Sequence, residues 1–386
     1  MYYPLRFYPV YKDYIWGGRR LAELGKILPE NGRVAESWEI SAHPNGISVI
    51  SNGPLAGISL TDACEKLGSD LLGTALPKGQ RFPLLIKLID AQDCLSVQVH
   101  PDDDYAAYHE KGSPGKSEMW YVVSASPGAR LIAGLKPGVD RRTFADAILS
   151  GNCLDLLNEV LVKPGDAINI PAGLVHAVGA GLVLYEIQQN SDITYRVFDY
   201  NRRNDQGQLR PLHIEKALDV IDFNRKETHP LIQGLIIRNS QITRRVLVLN
   251  RYFFVEELSV HGNGAAFSND GSRFSALTVI SGEGSLSYQN EIGHWISEPL
   301  FAGNSLLLPA RLGNWTLSGN MKIISGKPSL FEADAAWLSL QITKADLIHS
   351  EKDADQRNLF LPKPLAAAAA QGLIALEPYP DEMKCH

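Results

Sequence analysis

Cysteine is scarce in this 386-residue chain, and Cys64, Cys94, Cys153 and Cys385 stand far apart with no CxxC pair. That pattern excludes a disulfide framework and a thiolate zinc site, and it points to a reduced compartment. No uninterrupted apolar run approaches the ~18 residues that a membrane-spanning helix requires. The opening MYYPLRFYPVYKDYIWGG mixes charges with aromatics and lacks the basic start and apolar core of a signal peptide. The chain therefore reads as cytoplasmic, with no membrane partner. Nor is there an excess of one charge. With 37 basic against 43 acidic residues the net charge is −6, mixed along the chain, so no basic face for nucleic acid is expected. No protein partner is implied either.

What is abundant is turn-forming residues, 33 Gly and 22 Pro, together about 14% of the chain against an average near ~12%. Short β-rich runs recur between them: PLLIKLI (83–89), LSVQVHP (95–101), EMWYVVSA (118–125), ARLIAGL (129–135) and DAINIPAG (166–173). Such spacing predicts an all-β sandwich or barrel. Residues 140–160 carry apolar side chains at helical spacing with Thr143 placed to cap them, and 209–223 reads as helical too. Helices thus decorate a β core, and the length allows two to three domains, long enough to bury a core without staples.

A degenerate repeat organises the chain. KPGDAINIPAGLVHAV laid against FAGNSLLLPARLGNWTL puts Gly165 on Gly303 and Pro171 on Pro309. His176 then falls opposite Asn314 and, further upstream, Glu118 opposite Phe274. One copy is equipped with possible metal ligands and the other is bare, which implies a duplicated jelly roll with chemistry only in the N-terminal half. The expected division is a catalytic domain over 1–235 with inserted helices, a degenerate second β domain over 236–330, and a C-terminal extension over 331–386 without assigned function. The charged stretch 224–245 forms the boundary, and the alanine run in LPKPLAAAAAQG is a short helix or a linker.

Gln98 and His100 are two apart in an alternating strand and project from one face. Glu118 begins the next strong strand, and His176 follows a turn shaped by Pro171 and Gly173. Two imidazoles, a carboxylate and an amide oxygen suit a borderline divalent ion such as zinc, with a position left open for substrate.

At these residues a resemblance becomes specific. LSVQVHPDD, GKSEMWY, IPAGLVHAVGAG and EIQQNSDITYRVFDYNR resemble the successive motifs of the type I mannose-6-phosphate isomerases, over about residues 1–330. The loop before Glu118 is GSPGKSE and lacks the longer NHKPE signature, so the likeness is to the compact bacterial branch. The resemblance implies two cupin-type jelly-roll domains and one Zn2+ per chain held by Gln98, His100, Glu118 and His176. It also implies a small-molecule sugar phosphate as substrate, with mannose 6-phosphate and fructose 6-phosphate interconverted through a cis-enediolate. Glu186 and Arg196 would line the active site as proton carrier and charge stabiliser. Lys87 and Lys116 would orient hydroxyls or share proton transfer, the base being either Glu186 or a lysine. Ser96 and Arg202 would contact the phosphate, and Glu36 and Trp38 would support the metal cage.

Two other readings stay open on the residues. Two histidines with a carboxylate also form the facial triad of a non-haem iron oxygenase, and a sugar-phosphate-binding regulator would keep the pocket without turnover. His43 and His109 match no ligand position. Asp102–Asp104 read as a solvated turn, and Gly282-Glu283-Gly284 as a hairpin too short to bind phosphate.

Overall fold

The computed structural model describes residues 2–225, 230–344 and 363–377. The architecture is mainly β with a few helices, and its strand pairings are antiparallel apart from one short parallel pair. Chain contacts gather it into two units, each discontinuous: residues 9–46 with 84–231, and residues 1–8 with 47–83 and 232–386. This departs from a cut at residue 235. Residues 1–8 and 47–83 cluster with the C-terminal half because Leu5 pairs with Leu307, and Thr74 donates its backbone N–H to Gly271. Those contacts join segments some 200 to 300 residues apart, which no local pattern announces.

The 9–46/84–231 unit is a sandwich of two antiparallel sheets. One has the order Ala167–Ile170, Glu118–Ala125, Leu182–Gln189, Leu84–Ala91, Glu36–Ser41, Val10–Lys12, and the other Tyr195–Phe198, Val97–Val99, His176–Val178, Arg130–Leu135, Leu157–Leu161. Alternation puts every second residue of each strand on one face. Trp16, Ile89, Leu95, Trp120, Val122, Leu131, Ile168, Val178 and Leu184 share one buried cluster. The outer face of the five-stranded sheet is sealed by a second cluster that includes Phe144, Ile148 and Ala217, carried by helices Arg141–Ser150 and Ile214–Val220.

The expected helix over 140–160 is shorter than its periodicity. It ends at Ser150, where Gly151 adopts a left-handed φ of 79°, and the chain re-enters a sheet at Leu157. Its cap is Asp140, whose side chain accepts from the Thr143 N–H, so Thr143 is the residue capped. The Asp102–Asp104 run likewise opens a helix, Asp103–His109, capped by Asp102. Asp103 is no solvated turn residue, since it accepts from the Gly115 N–H and from the Gln189 amide.

In the other unit, Ile242–Asn250, Phe253–Asn269, Gly313–Pro328 and Ser275–Gln289 form the centre of a large antiparallel sheet. The repeat is visible in its pairing. Ala167–Ile170 lies against Glu118–Tyr121 in the equipped copy, and Ser305–Leu308 lies against Ser275–Thr278 in the bare one. Ile170 faces Glu118, whereas Leu308 faces Ser275. The structural counterpart of Glu118 is therefore Ser275, one residue from the alignment. Gly282 and Gly284 lie inside a long strand and not in a hairpin turn. Gly284 backs onto Gly319 so closely that a Cβ on Gly319 would come within 2.5 Å of the Gly284 Cα.

The alanine run is helical, Lys363–Ala370. With helix Phe331–Lys344 it joins a cluster containing Leu235, Val246, Phe254, Leu338 and Leu365. Strand Ala375–Glu377 then pairs with Val248–Asn250. Residues 226–229, 345–362 and 378–386, and with them Cys385, lie outside the described residues. Cys64, Cys94 and Cys153 are free thiols. Among the described residues, no helix is long and apolar enough to cross a membrane.

The cap assignment is open to a direct check. Asp140→Ala should lower the melting temperature by more than Thr143→Ala does, since only the former leaves a first-turn N–H without its acceptor; equal effects in thermal denaturation would contradict it.

Candidate metal centre and cavity

Two rows of side chains face one another inside the sandwich. In the six-stranded sheet Trp120 pairs with Glu186, Glu186 with Lys87 and Lys87 with Trp38. In the five-stranded sheet Arg196 pairs with Gln98, Gln98 with His176 and His176 with Ala133. Directly opposed residues share a face, so each row presents its side chains in one direction. The strand carrying Gln98 is only Val97–Val99, and His100 follows immediately.

His100, Glu118 and His176 bring ligand atoms together within 4.8 Å, and their side chains are 0% exposed. The His176 and His100 Nε2 atoms are 3.1 Å apart. The Glu118 oxygens lie 3.5 Å from His100 Nε2 and 3.4 Å from His176 Nε2. Each Nδ1 donates to a backbone carbonyl at 2.8 Å, Ile193 for His100 and Leu174 for His176. That fixes the tautomer and leaves each Nε2 with its lone pair, the two nitrogens 3.1 Å apart. Two lone pairs at that distance repel unless a cation lies between them. Glu118 is likewise fully buried; its Oε1 has no hydrogen-bond donor among the described residues, and its Oε2 is met by the Lys116 ammonium at 2.6 Å. Donors at 2.0–2.1 Å from a tetrahedral zinc would be about 3.3 Å apart, which is the spacing found here. The donor set fits a divalent metal.

Burial, aided by the Lys116 ammonium, pushes the His100 imidazole down to about 3. Burial also pushes His176 down to about 4. Burial opposes the charge on Glu118, but Lys116 and the two imidazoles outweigh it and hold the carboxyl well below its usual range.

Beside this cage lies a cavity of about 190 Å³. Of the residues expected at the site, Lys87, Ser96, Gln98, Lys116, Glu186 and Arg196 line it, as do Glu36 and Trp38. Glu186 is buried, accepts from Trp120 Nε1 at 2.8 Å and lies 2.8 Å from Lys87 Nζ. Lys87 also lies 3.7 Å from Glu36, which in turn accepts from the Trp38 indole at 2.6 Å. Burial raises the Glu186 carboxyl despite Lys87. Burial opposes the charge of Lys87, yet Glu186 and Glu36 leave its ammonium held above its ordinary range. Arg196 has no ion-pair partner among the described residues, and its Nε is buried without an acceptor.

Arg202 does not line the cavity. Its guanidinium is taken up by Asp199, Asp93 and the Cys94 carbonyl. Arg210, which motif spacing did not bring to notice, does line it, steadied by Asp199 at 2.7 Å and 2.5 Å. Asp199 thus holds both arginines, one outside the cavity and one facing it. Tyr14, Thr194 and Asp192 add polar groups to the wall, and Trp16, Ile89, Leu95 and Trp120 form its apolar part. The polar three were missed because a lone Tyr, Thr or Asp carries no spacing signal. His43 is 3.3 Å from Asp192, and His109 stacks on Tyr105, with no part in the cage.

Free histidine titrates near ~6.5, so between that pH and about 4 the unfolded chain takes up protons that native His100 and His176 refuse. The unfolded state then binds more protons, and stability rises with pH across this window. Metal-free protein should lose denaturant resistance as pH falls from 6.5 towards 4, and His176→Asn should flatten that slope. A slope unchanged in the variant would refute the buried neutral imidazole.

Comparison with known proteins bears on this site. Residues 5–118 match the family model for the phosphomannose isomerase type I catalytic domain, and residues 243–328 that for the mannose-6-phosphate isomerase cupin domain. A probable mannose-6-phosphate isomerase of Bacillus subtilis (GmuF) is 40% identical over 329 residues, covering 85% of this chain and 100% of the relative. The mannose-6-phosphate isomerase of Streptococcus mutans is 38% identical over 312 residues, 81% of this chain and 94% of that one. A crystal structure of the mannose 6-phosphate isomerase from Bacillus subtilis superposes with a TM-score of 0.77 at 34% identity, covering 84% of this chain and 99% of that one.

Proposed function

Since the chain belongs to the type I phosphomannose isomerases, a metal-dependent family, we propose that it interconverts mannose 6-phosphate and fructose 6-phosphate with one zinc ion per chain. The observation that carries this reading is the buried His100–Glu118–His176 cage opening onto a cavity lined with cations. Gln98, directly opposite His176, is the fourth ligand. A bound zinc would polarise the sugar carbonyl and stabilise an enediolate. The remaining work falls to the chain's own side chains.

Glu186 is the base that moves the proton between C1 and C2. Of the two groups in contact, Lys87 is held protonated by Glu186 and Glu36, so the carboxylate is the one with a lone pair to use. Trp120 Nε1 fixes one of its oxygens and leaves the other towards Lys87. A carboxyl raised by burial is a stronger base than one in water. Arg196, without a carboxylate ion-pair partner among the described residues, meets charge developing on the sugar oxygens. For phosphate, Ser96 and Arg210 are favoured over Ser96 and Arg202, because Arg210 faces the cavity and Arg202 does not. A phosphorylated sugar and free thiols both belong to the cytoplasm. The family's action on sugar phosphates supports isomerisation over a facial-triad oxygenase, and the buried Glu186 carboxylate against Lys87 supports turnover over an inactive regulator.

Purified protein should form fructose 6-phosphate from mannose 6-phosphate, lose that activity on chelation and regain it with zinc; no turnover in any metal state would sink the proposal. Glu186→Gln should lower kcat by about 10²- to 10⁴-fold with zinc content unchanged. His176→Ala should lose both metal and activity, and retained metal there would contradict the ligand assignment. Arg210→Ala should raise KM on the order of tenfold or more, with Arg202→Ala affecting it less.

A further inference from the structure

We propose that Lys116 is the resident counter-ion of the metal cage, displaced by a divalent ion and thereby delivered, still as an ammonium, into the sugar cavity. This rests on the metal reading above but not on the identity of the substrate.

The Lys116 ammonium lies 2.6 Å from Glu118 Oε2 and 3.0 Å from His100 Nε2. It therefore reaches two of the three groups a metal would bind, from the side on which it also lines the cavity. A dication held by His100, Glu118 and His176 would be pressed against that ammonium. At such separation in a buried site, like charges repel far more strongly than they would in water. The two cations compete for one carboxylate.

Only the side chain is free to answer. The backbone around it is fastened: Gly115 N–H donates to Asp103 Oδ1 at 2.9 Å, Lys116 N–H to the Pro101 carbonyl at 3.0 Å, and Ser117 N–H to Gln189 Oε1 at 2.9 Å. A Cβ on Gly115 would come within 2.4 Å of the Asp102 carbonyl carbon, so the turn is also sterically fixed. Four methylenes remain to swing the ammonium from the cage into the adjoining cavity, whose wall carries the carboxylates of Glu36, Glu186 and Asp192. In the metal-free protein the same ammonium neutralises a fully buried carboxylate that would otherwise stand uncompensated. Metal loading and the placing of an ammonium beside the sugar become a single event.

Zinc affinity by competition calorimetry tests this without turnover, so failure of the isomerase assay and failure of this proposal are separable. Lys116→Met should bind zinc more tightly, on the order of tenfold, while its metal-free form melts below the wild type. Lys87→Met removes a cavity cation that touches no ligand, and it should change zinc affinity far less. In the unaltered chain, acylation of Lys116 followed by mass spectrometry should rise when zinc is added. Affinity in Lys116→Met equal to or weaker than the wild type, or a matching gain in Lys87→Met, would overturn the displacement. So would acylation that stays level or falls with zinc, and that measurement decides the matter should Lys116→Met not fold.

Discussion

A carboxylate with no exposure to water governs the 9–46/84–231 unit. Glu118 sits at the start of a central strand with its side chain wholly buried, where an uncompensated charge would cost several kcal/mol. In the metal-free chain its compensation comes from Lys116, two residues before it, while His100 after a short strand and His176 after a turn bring neutral lone pairs to the same point, a set that a metal cation would complete. Each partner has to arrive with its charge or lone pair aimed inward. The fold around Glu118 is the set of pairings that brings them there.

Register does that work. Gln98 lies between His176 and Arg196 in one sheet, and Glu186 between Trp120 and Lys87 in the other. Because side chains alternate faces, a slip of one residue in the Val97–Val99 pairing would turn Gln98 to the opposite face and bring valines inward. The next residues along these strands are apolar, with Val122, Leu184 and Ile89 in register beside the polar row. That apolar layer anchors the register through burial, and the polar rows inherit it. The site is thus held by the same hydrophobic contacts that stabilise the sandwich.

The bare copy shows the same frame without the chemistry. Ser305–Leu308 pairs with Ser275–Thr278 much as Ala167–Ile170 pairs with Glu118–Tyr121. The residue at the place of Glu118 is Ser275, which bonds to Asn269, and Phe274 is spent on stacking with Phe82. Asn314, opposite His176 in the repeat, is exposed. A strand pairing can be copied while its cargo is lost, since the pairing is made by backbone and the metal cage by side chains.

The amino-acid order alone determined the β character, the strand Glu118–Ala125, the repeat and the residue types of the cage, because alternation and turn chemistry are local and a His, Gln or Glu carries its ligand atom wherever it stands. It also marked Lys87, Glu186 and Arg196 through motif likeness. Tertiary structure decided the rest. Arg210 faces the cavity and Arg202 does not because Asp199 binds both and the turn between them sets their directions. Residues 1–8 and 47–83 joined the other unit through pairings with strands hundreds of residues away. Asp140 took the cap from Thr143, since a cap is defined by which side chain reaches the free N–H and not by which residue type is near. Above all, the contact of Lys116 with Glu118 and His100 arises only when separate segments close on one point, and long-range closure is what a linear pattern does not encode.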